Sequence, residues 1–149
     1  MSSLFEAAGR EALVGRIRAL SPEQGPQWGT MNSAQMLAHC RVPLESACSD
    51  TPMKRSFLGL LLGRFVKNSA VGPKPFKQGL PTDARFLVET PEGFSEERDA
   101  LLQALDVFGQ RGPAPLEGRV HPFFGRMTPR EWDALMVKHL DHHLRQFGV

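Results

Sequence analysis

The stretch TPREWDALMVKHLDHHLRQFG, residues 128 to 148, decides the fold because it is the most clearly bounded helix in the chain. Thr128 at the cap, Pro129 at the first helical position and Glu131 three residues after the cap form a capping box with the preferred proline. Gly148 predicts where the helix stops. The inward face is marked by apolar residues at helical spacing: Trp132, Leu135, Met136, Leu140, Leu144 and Phe147.

The same helix holds three of the five histidines of the protein, His139, His142 and His143. At about 100° per residue, His143 lies well inside the apolar face and His139 near it, whereas His142 falls toward the edge. The i, i+4 spacing of His139 and His143 puts their β-carbons about 6 Å apart, close enough for both rings to bind one ion. By itself this pair is a weak pattern, and a solvated polar edge is the alternative.

A third ligand has to come from a facing helix, because two ligands rarely hold a divalent metal. Asn32 followed by Gln35 predicts a capped second helix over residues 33 to 48, in which Pro43 predicts a kink or an early end. His39 lies on this helix among apolar residues, and a bundle would bring it opposite the last helix. Three histidines leave a coordination position open, as in catalytic sites. The alternative for His39 is an ordinary core or surface histidine.

Three further helices are predicted from apolar periodicity and stop signals. They cover residues 2 to 20, a short apolar segment at 54 to 69, and a segment capped by Ser95 that runs to about Phe108. The short one contains FLGLLLGRFV, about ten residues against the roughly twenty needed to span a bilayer. We therefore predict a buried helix there and no membrane partner.

Residues 72 to 93 carry proline and glycine at a density that no regular element tolerates, which predicts a long irregular crossover. Only RFLVET at 85 to 90 has a weak strand pattern. With four main helices, the expected fold is all-α, a four-helix bundle with one long crossover connection. The length of the chain fits a single domain over residues 1 to 149.

Charge and cysteine content narrow the partners and the compartment. The 18 basic and 16 acidic residues do not form the basic stripe that phosphate neutralisation needs, so we expect no nucleic acid partner. Cys40 and Cys48 would lie about 12 Å apart on one helix and cannot pair. Free thiols, with an N-terminal segment that lacks a signal peptide's apolar core, predict a cytoplasmic protein.

Several other side chains are candidates for the surroundings of the metal. Gln35, one turn before His39, and Gln146, beside His143, could orient a ligand or a substrate, and the alternative for each is an exposed amide. His121, in HPFFG, either supports the loop before the last helix or lines a pocket. Cys40 is expected to be a small buried apolar residue rather than a reactive thiol. No catalytic residue is assigned.

Three blocks in this order resemble a bacterial family of uncharacterised proteins in the DinB/YfiT-like superfamily: QWGTMNSAQMLAHC, KPFKQGLPTDARF and HPFFGRMTPREWDALMVKHLDHHLRQFG. The resemblance covers nearly the whole chain from about residue 27. It implies a four-helix bundle that binds a divalent metal through a lone histidine on the second helix and an HxxxH pair on the fourth. Here these are His39, His139 and His143, and both zinc and nickel suit imidazole ligands.

The resemblance also implies a chemistry. Characterised members of the superfamily are thiol-dependent enzymes: transferases that use bacillithiol, mycothiol or glutathione, and a mycothiol-dependent isomerase. The expected function is therefore activation of a low-molecular-weight thiol, or of water, for attack on a small electrophilic substrate. A metal-dependent hydrolase and a metal-stabilised bundle that binds a small molecule or a partner protein without turnover are the alternatives. A homodimer is expected from the superfamily alone.

Overall fold

The computed structural model describes residues 3 to 149 and is built from helices. Apart from them, this part of the chain has two short 3₁₀ turns, Ala84–Phe86 and Ala114–Leu116, and one small hairpin. The all-α prediction is confirmed. The helices are α1 (Ala7–Ala19), α2 (Ser33–Cys48), α3 (Phe57–Val71), α4 (Phe94–Arg111) and α5 (Pro129–Gln146), and the antiparallel hairpin pairs β1 (Val120–His121) with β2 (Gly125–Arg126).

The two helices that carry the histidines begin where the capping boxes predict. On α2 the Asn32 side chain accepts from the Gln35 N–H while the Gln35 side chain accepts from the Asn32 N–H. Thr128 and Glu131 do the same at the start of α5. Such reciprocal bonds satisfy donors that the first turn of a helix leaves without partners. Both helix starts are thus fixed by local sequence.

Helix α2 continues through Pro43 to Cys48, as the predicted range has it, and does not end early. Proline cannot donate to the carbonyl one turn back, which here is that of His39. The cost is offset by packing, because α2 makes its largest contact with α4 and buries Met36, Leu37 and Leu44. Tertiary burial therefore outweighs the local preference of a proline to end a helix.

The predicted cap of α4 is wrong by two residues. The helix begins at Phe94 with Gly93 as its cap, and Ser95 lies exposed inside the first turn. The buried carboxylate of Glu97 accepts from the backbone N–H of Glu92, and it also pairs with Arg41 on α2 at 3.0 Å. This side chain ties the end of the crossover to the first turn, so the helix starts without a serine cap.

The core lies where α1, α2, α4 and α5 meet. Helices α2 and α4 pack against each other. Helix α1 packs on α4, α5 packs on α2, and α1 and α5 also contact each other. Large side chains that are fully buried fill the space between them, and each contributes roughly 1.5–3 kcal/mol relative to exposure. They include Ile17, Met36, Leu37, Leu101, Leu105, Phe108, Trp132 and Leu140.

A helix is present in the region predicted at 54 to 69, but the prediction that this helix is buried is wrong. Helix α3 forms, but Phe57 is 77% and Phe65 73% exposed. Its buried face consists of Gly59, Gly63 and Ala70. A β-carbon on Gly63 would lie 1.9 Å from the carbonyl oxygen of Phe123, so the helix backbone sits directly on the hairpin. The close approach uses the glycine face and leaves the large apolar side chains outside.

The irregular connections also differ in detail from the sequence pattern. The crossover between α3 and α4 is irregular as predicted, and its weak strand pattern gives a 3₁₀ turn at Ala84–Phe86 in place of a strand. The hairpin of β1 and β2 has two residues per strand, too short for alternation to reveal it.

Cys40 and Cys48 are free, as predicted. In the described part of the chain, no helix has the length and apolarity to cross a membrane.

Replacing Gly63 by alanine is expected to lower the free energy of unfolding by about 1–3 kcal/mol, because the new methyl group must push α3 off the hairpin. The matched control is Gly15→Ala in α1, where nothing lies within 4 Å of the added carbon. That change should stabilise by about 0.5–1 kcal/mol through helix propensity. Urea unfolding of both variants measures the change in the free energy of unfolding. Equal changes in the two variants would contradict the close packing of α3 on the hairpin.

Candidate metal centre

Three imidazole rings from two helices meet inside the fold. His39 comes from α2, and His139 and His143 come from consecutive turns of α5. Their ring centroids are 4.8, 4.7 and 4.7 Å apart, nearly an equilateral triangle. One ligand nitrogen from each ring lies within 4.8 Å of the others. The structure thus brings together the three histidines that the sequence singles out, in an arrangement that could hold a metal ion.

The orientation of His39 is set by the crossover. Its Nδ1 donates to the backbone carbonyl oxygen of Phe86 at 2.7 Å, so that Nε2 carries the lone pair. That Nε2 lies 2.9 Å from Nε2 of His139. A histidine whose second nitrogen is held by a carbonyl is the usual form of a metal ligand in proteins. The 3₁₀ turn that contains Phe86 therefore fixes which nitrogen of His39 faces the other rings.

A glutamine amide orients His143 in the same way. The Nδ1 of His143 donates to Oε1 of Gln146 at 2.8 Å, while Nε2 of Gln146 donates to the carbonyl oxygen of Trp28 at 2.6 Å. The second bond fixes which end of the amide faces the ring. Gly29 permits this approach, since a β-carbon there would lie 2.7 Å from Nε2 of Gln146. Gln146 is thus a buried orienting group and not an exposed amide.

Gln35 has a different place. Its Oε1 takes part in the cap of α2, and its Nε2 donates to the carbonyl oxygen of Glu89 at 3.1 Å. In the described part of the chain its side chain forms no hydrogen bond to the three rings. With the bond from His39 to Phe86, it fastens the crossover to the first turns of α2 at two points. Gln35 therefore holds the same crossover segment that orients His39.

All three rings are neutral at physiological pH. Burial, reinforced by the positive charge that His39 would carry, lowers the pKa of His143 to about 4. Burial also lowers the pKa of His39, and the bond to Phe86 offsets only part of this. The pKa of His139 lies well below the usual value because of burial and repulsion from the neighbouring histidines. Neutral imidazole is the protonation state that binds metals, so the rings need no deprotonation at pH 7.

A family comparison bears on this chain as a whole. The model of a family described as "Protein of unknown function (DUF1569)" matches residues 3–148. The chain belongs to the DUF1569 family. No curated protein and no solved structure matches it.

In this DUF1569 chain the fourth histidine of the cluster lies beside the three. The His142 ring is half-buried and lies 5.0 Å from that of His143. Trp28 and Phe76 each approach it edge-on at 5.7 Å between centroids. Burial lowers the pKa of His142 as well. These three side chains form an aromatic rim next to the metal centre, and His142 itself lies outside the group of three nitrogens.

His121 and Cys40 have structural surroundings. The Nδ1 of His121 accepts from the backbone N–H groups of Phe123 and Phe124, both at 3.1 Å, and its ring packs on Trp132. These contacts place it in the support of the hairpin. Cys40 is fully buried on α2, and burial raises the pKa of its thiol far above the usual value. An uncharged buried thiol is a poor nucleophile.

One cavity of the described structure lies away from the histidines. This cavity has a volume of about 700 Å³ and lies between the start of α5, the end of α3 and the segment before α1. Its lining includes Phe5, Val71, Pro129 and Asp133. None of the three histidines lines it. Because the converging ring nitrogens carry the chemistry, we place the candidate site at the histidines and not at this cavity.

Two orienting groups of the site have no signal in the sequence. The carbonyl oxygens of Phe86 and Trp28 are main-chain atoms, which every residue possesses. Phe76 could have been suspected only from its place in the crossover. The i, i+3 spacing of His143 and Gln146 was a usable signal, because residues three apart share one face of a helix.

The stability of the protein is expected to fall in acid partly through His121. Burial, with a smaller contribution from Arg85 and Arg55, lowers its pKa to about 4 from an unfolded value of 6.5. Between these values the unfolded chain binds a proton that the folded chain does not. The stabilisation is therefore complete above pH 6.5 and is lost as the pH falls toward 4, by about 3 kcal/mol in total.

The variant His121→Asn keeps an acceptor for the hairpin and cannot titrate in this range. Its free energy of unfolding should therefore decline less than that of the parent between pH 7 and pH 4, as measured by urea unfolding at several pH values. A constant difference between the two proteins at every pH would contradict the assignment.

Proposed function

We propose that His39, His139 and His143 hold one divalent metal ion and that the protein is a metal-dependent enzyme. In this proposal the site activates a low-molecular-weight thiol, or water, for attack on a small electrophilic substrate. The supporting observation is the convergence of three neutral ring nitrogens within 4.8 Å, two of them on rings whose other nitrogen is already held. Oriented, neutral histidines are what such a site requires.

The spacing and the chemistry of these donors suit a metal ion. Two nitrogens bound to one zinc at 2.0–2.1 Å are about 3.4 Å apart, a spacing that lies between the 2.9 Å of His39 and His139 and the 4.8 Å within which all three nitrogens fall. Within the described residues, the metal-binding group contains no carboxylate or thiol. Imidazole ligands suit zinc and nickel alike, and we propose one of these two as the native ion.

The three ligands are neutral, so the site would keep the full charge of a divalent ion and would favour an anionic fourth ligand. An ion held there would lower the pKa of a bound thiol or water and so supply a nucleophile at neutral pH. Residues of the chain orient the proposed ligands. The carbonyl oxygen of Phe86 accepts from His39 and the side-chain oxygen of Gln146 accepts from His143, which fixes both rings. His139 is partly exposed, whereas His39 and His143 are buried.

The cysteines of the chain favour an external thiol over an internal nucleophile. Cys40 is fully buried, and Cys48 is half-buried at the end of α2, away from the rings. Burial raises the pKa of both thiols. Neither is therefore a thiolate at neutral pH. If the reaction uses sulfur as its nucleophile, the sulfur comes from a small thiol that enters from solvent.

The rim beside the centre suits a substrate that is small and partly apolar. Trp28 and Phe76 each contact His142, whose ring lies 5.0 Å from that of the proposed ligand His143. Aromatic side chains of this kind exclude water and pack against flat or aliphatic groups. The proposed substrate is accordingly a small electrophile with an apolar portion.

The resemblance to the DinB/YfiT-like superfamily is part of the same proposal. In it α1, α2, α4 and α5 form the four-helix bundle, and the crossover that includes α3 connects the second and third of them. The packing of these four helices around one core and the positions of the histidines on the second and fourth support it. A cytoplasmic location, where low-molecular-weight thiols are reduced, accords with the two free cysteines.

Metal content tests the first half of the proposal. Protein purified without an affinity tag and without added metal should contain about one zinc or nickel per chain by plasma emission spectrometry. The variants His39→Ala, His139→Ala and His143→Ala should lose it. His142→Ala is the matched control, since it removes a histidine from the same helix outside the ligand group and should keep the ion. Equal metal content in all four variants would contradict the assignment of ligands.

Activity tests the second half. Metal-loaded protein should transfer glutathione, bacillithiol or mycothiol to a small aryl or alkyl halide, and His143→Ala should lose at least about 100-fold in kcat/KM. Turnover of an activated ester without any thiol would instead assign a hydrolase. If the metal-loaded protein shows no turnover either with or without a thiol, the enzymatic proposal is overturned and a metal-stabilised binding protein remains.

A further inference from the structure

The small net charge of the chain hides an uneven distribution. Residues 51 to 82 contain six basic residues and no acidic one. Of the 18 basic residues, this leaves 12 elsewhere against all 16 acidic residues, so the segment carries +6 and the rest of the chain −4. Helix α3 occupies the middle of this segment. Any surface that α3 presents is therefore part of a strongly positive region.

Helix α3 also presents a continuous apolar surface. Six of its leucine and phenylalanine side chains are between 47% and 77% exposed, and contiguous exposed apolar side chains mark sites of interaction. Leu58, Leu61, Leu62 and Phe65 follow the i, i+3, i+4, i+7 spacing of one helical stripe. We call this the α3 apolar surface: Phe57, Leu58, Leu60, Leu61, Leu62 and Phe65.

The helix cannot turn this surface inward, because its opposite face is fixed to the hairpin. The backbone of Gly63 rests on the carbonyl of Phe123, where no side chain would fit. At the start of the helix, the N–H of Ser56 donates to the carbonyl of Pro122 at 2.9 Å. At its end, the ammonium of Lys138 donates to the carbonyl of Ser69 at 2.7 Å. The exposure of the apolar side chains is thus a consequence of how α3 is seated.

Basic residues lie before, on and after α3. Lys54, Arg55, Arg64, Lys74 and Lys77 are exposed, and none forms an ion pair within residues 3 to 149. The sixth basic residue, Lys67, is half-buried and pairs with Glu131 at 2.9 Å. Arg64 lies on α3 itself, over the ring of Phe65. Five positive charges without an ion-pair partner in this part of the chain therefore lie on α3 or within six residues of its ends.

We infer that the α3 apolar surface docks onto an anionic phospholipid bilayer. A helix with exposed Leu and Phe and with Lys and Arg beside them lies in the plane of a bilayer, its apolar side chains at the acyl boundary and its cations at the headgroups. At 15 residues α3 is about 22 Å long, and it stays in the interface because no described helix can cross a membrane. This inference is independent of the metal centre.

Charge decides between a bilayer and a second copy of the chain. A twofold contact through α3 would place the same surface of both copies face to face. The uncompensated cations of one copy would then face those of the other, and like charges brought together oppose association. Anionic headgroups neutralise the same cations, each of which strengthens binding near the surface. The sequence-based expectation of no membrane partner depended on a buried α3, which the structure does not have.

Vesicle binding tests the inference with the full-length protein. Co-sedimentation should show binding to vesicles of phosphatidylcholine with phosphatidylglycerol, and much weaker binding to phosphatidylcholine alone or at high salt. The double variant Leu61→Ser with Phe65→Ser should bind at least about tenfold less. Both side chains are exposed, so the variant should fold. The matched control is Val107→Ser, which changes an exposed apolar residue on α4 and should bind like the parent.

Two further measurements separate the contributions and the alternatives. Lys54→Gln and Arg64→Gln should each weaken binding to anionic vesicles about fivefold. Sedimentation velocity without lipid should give the same oligomeric state for the parent and for the Leu61→Ser, Phe65→Ser double variant. Absence of binding to anionic vesicles, or equal binding by the Leu61→Ser, Phe65→Ser double variant, would overturn the inference. So would self-association that this double variant abolishes, because α3 would then be an interface between two copies.

Discussion

Three neutral imidazoles packed within a few ångströms of one another are the constraint on which the site depends. Each ring has two nitrogens, and a buried one without a partner costs about 1–3 kcal/mol. The chain meets this demand by bringing a carbonyl of the crossover to His39 and a glutamine amide to His143. Their other nitrogens are left facing the third ring. The crossover and the segment before α2, through Trp28, are thereby part of the site although they supply no ligand.

The segment between α2 and α4 contributes to both parts of the molecule that we assign to function, the metal centre and the α3 apolar surface. Its start is α3, with a glycine face against the hairpin and a leucine and phenylalanine face outward. Its later part supplies Phe76 at the aromatic rim and the carbonyl of Phe86 to His39. The proline- and glycine-rich crossover after α3 can bring Phe76 and Phe86 to the site because it is free of the repeating hydrogen bonds that fix regular elements.

Some errors of the sequence analysis have identifiable causes. Helix α3 was expected to be buried because its leucines and phenylalanines dominate its composition, while Gly59 and Gly63, four residues apart, marked the side that packs closely. Ser95 was taken as a cap because serine favours that position, but Glu97 joins the end of the crossover to α4 and the helix begins earlier. In both cases a preference of single residues was outweighed by a contact with a distant segment.

Local sequence is enough to predict the starts of α2 and α5 and the candidate histidines. Capping boxes act over three residues and periodicity over one or two turns, so the starts of α2 and α5 and the shared face of His139 and His143 follow from local sequence. Only the tertiary structure decided that His39 meets this pair, since the two positions are 100 residues apart. It alone also selected the carbonyls of Phe86 and Trp28 and the outward side of α3. Main-chain acceptors are present at every residue, and only packing between distant segments chooses which of them a ring or a helix meets.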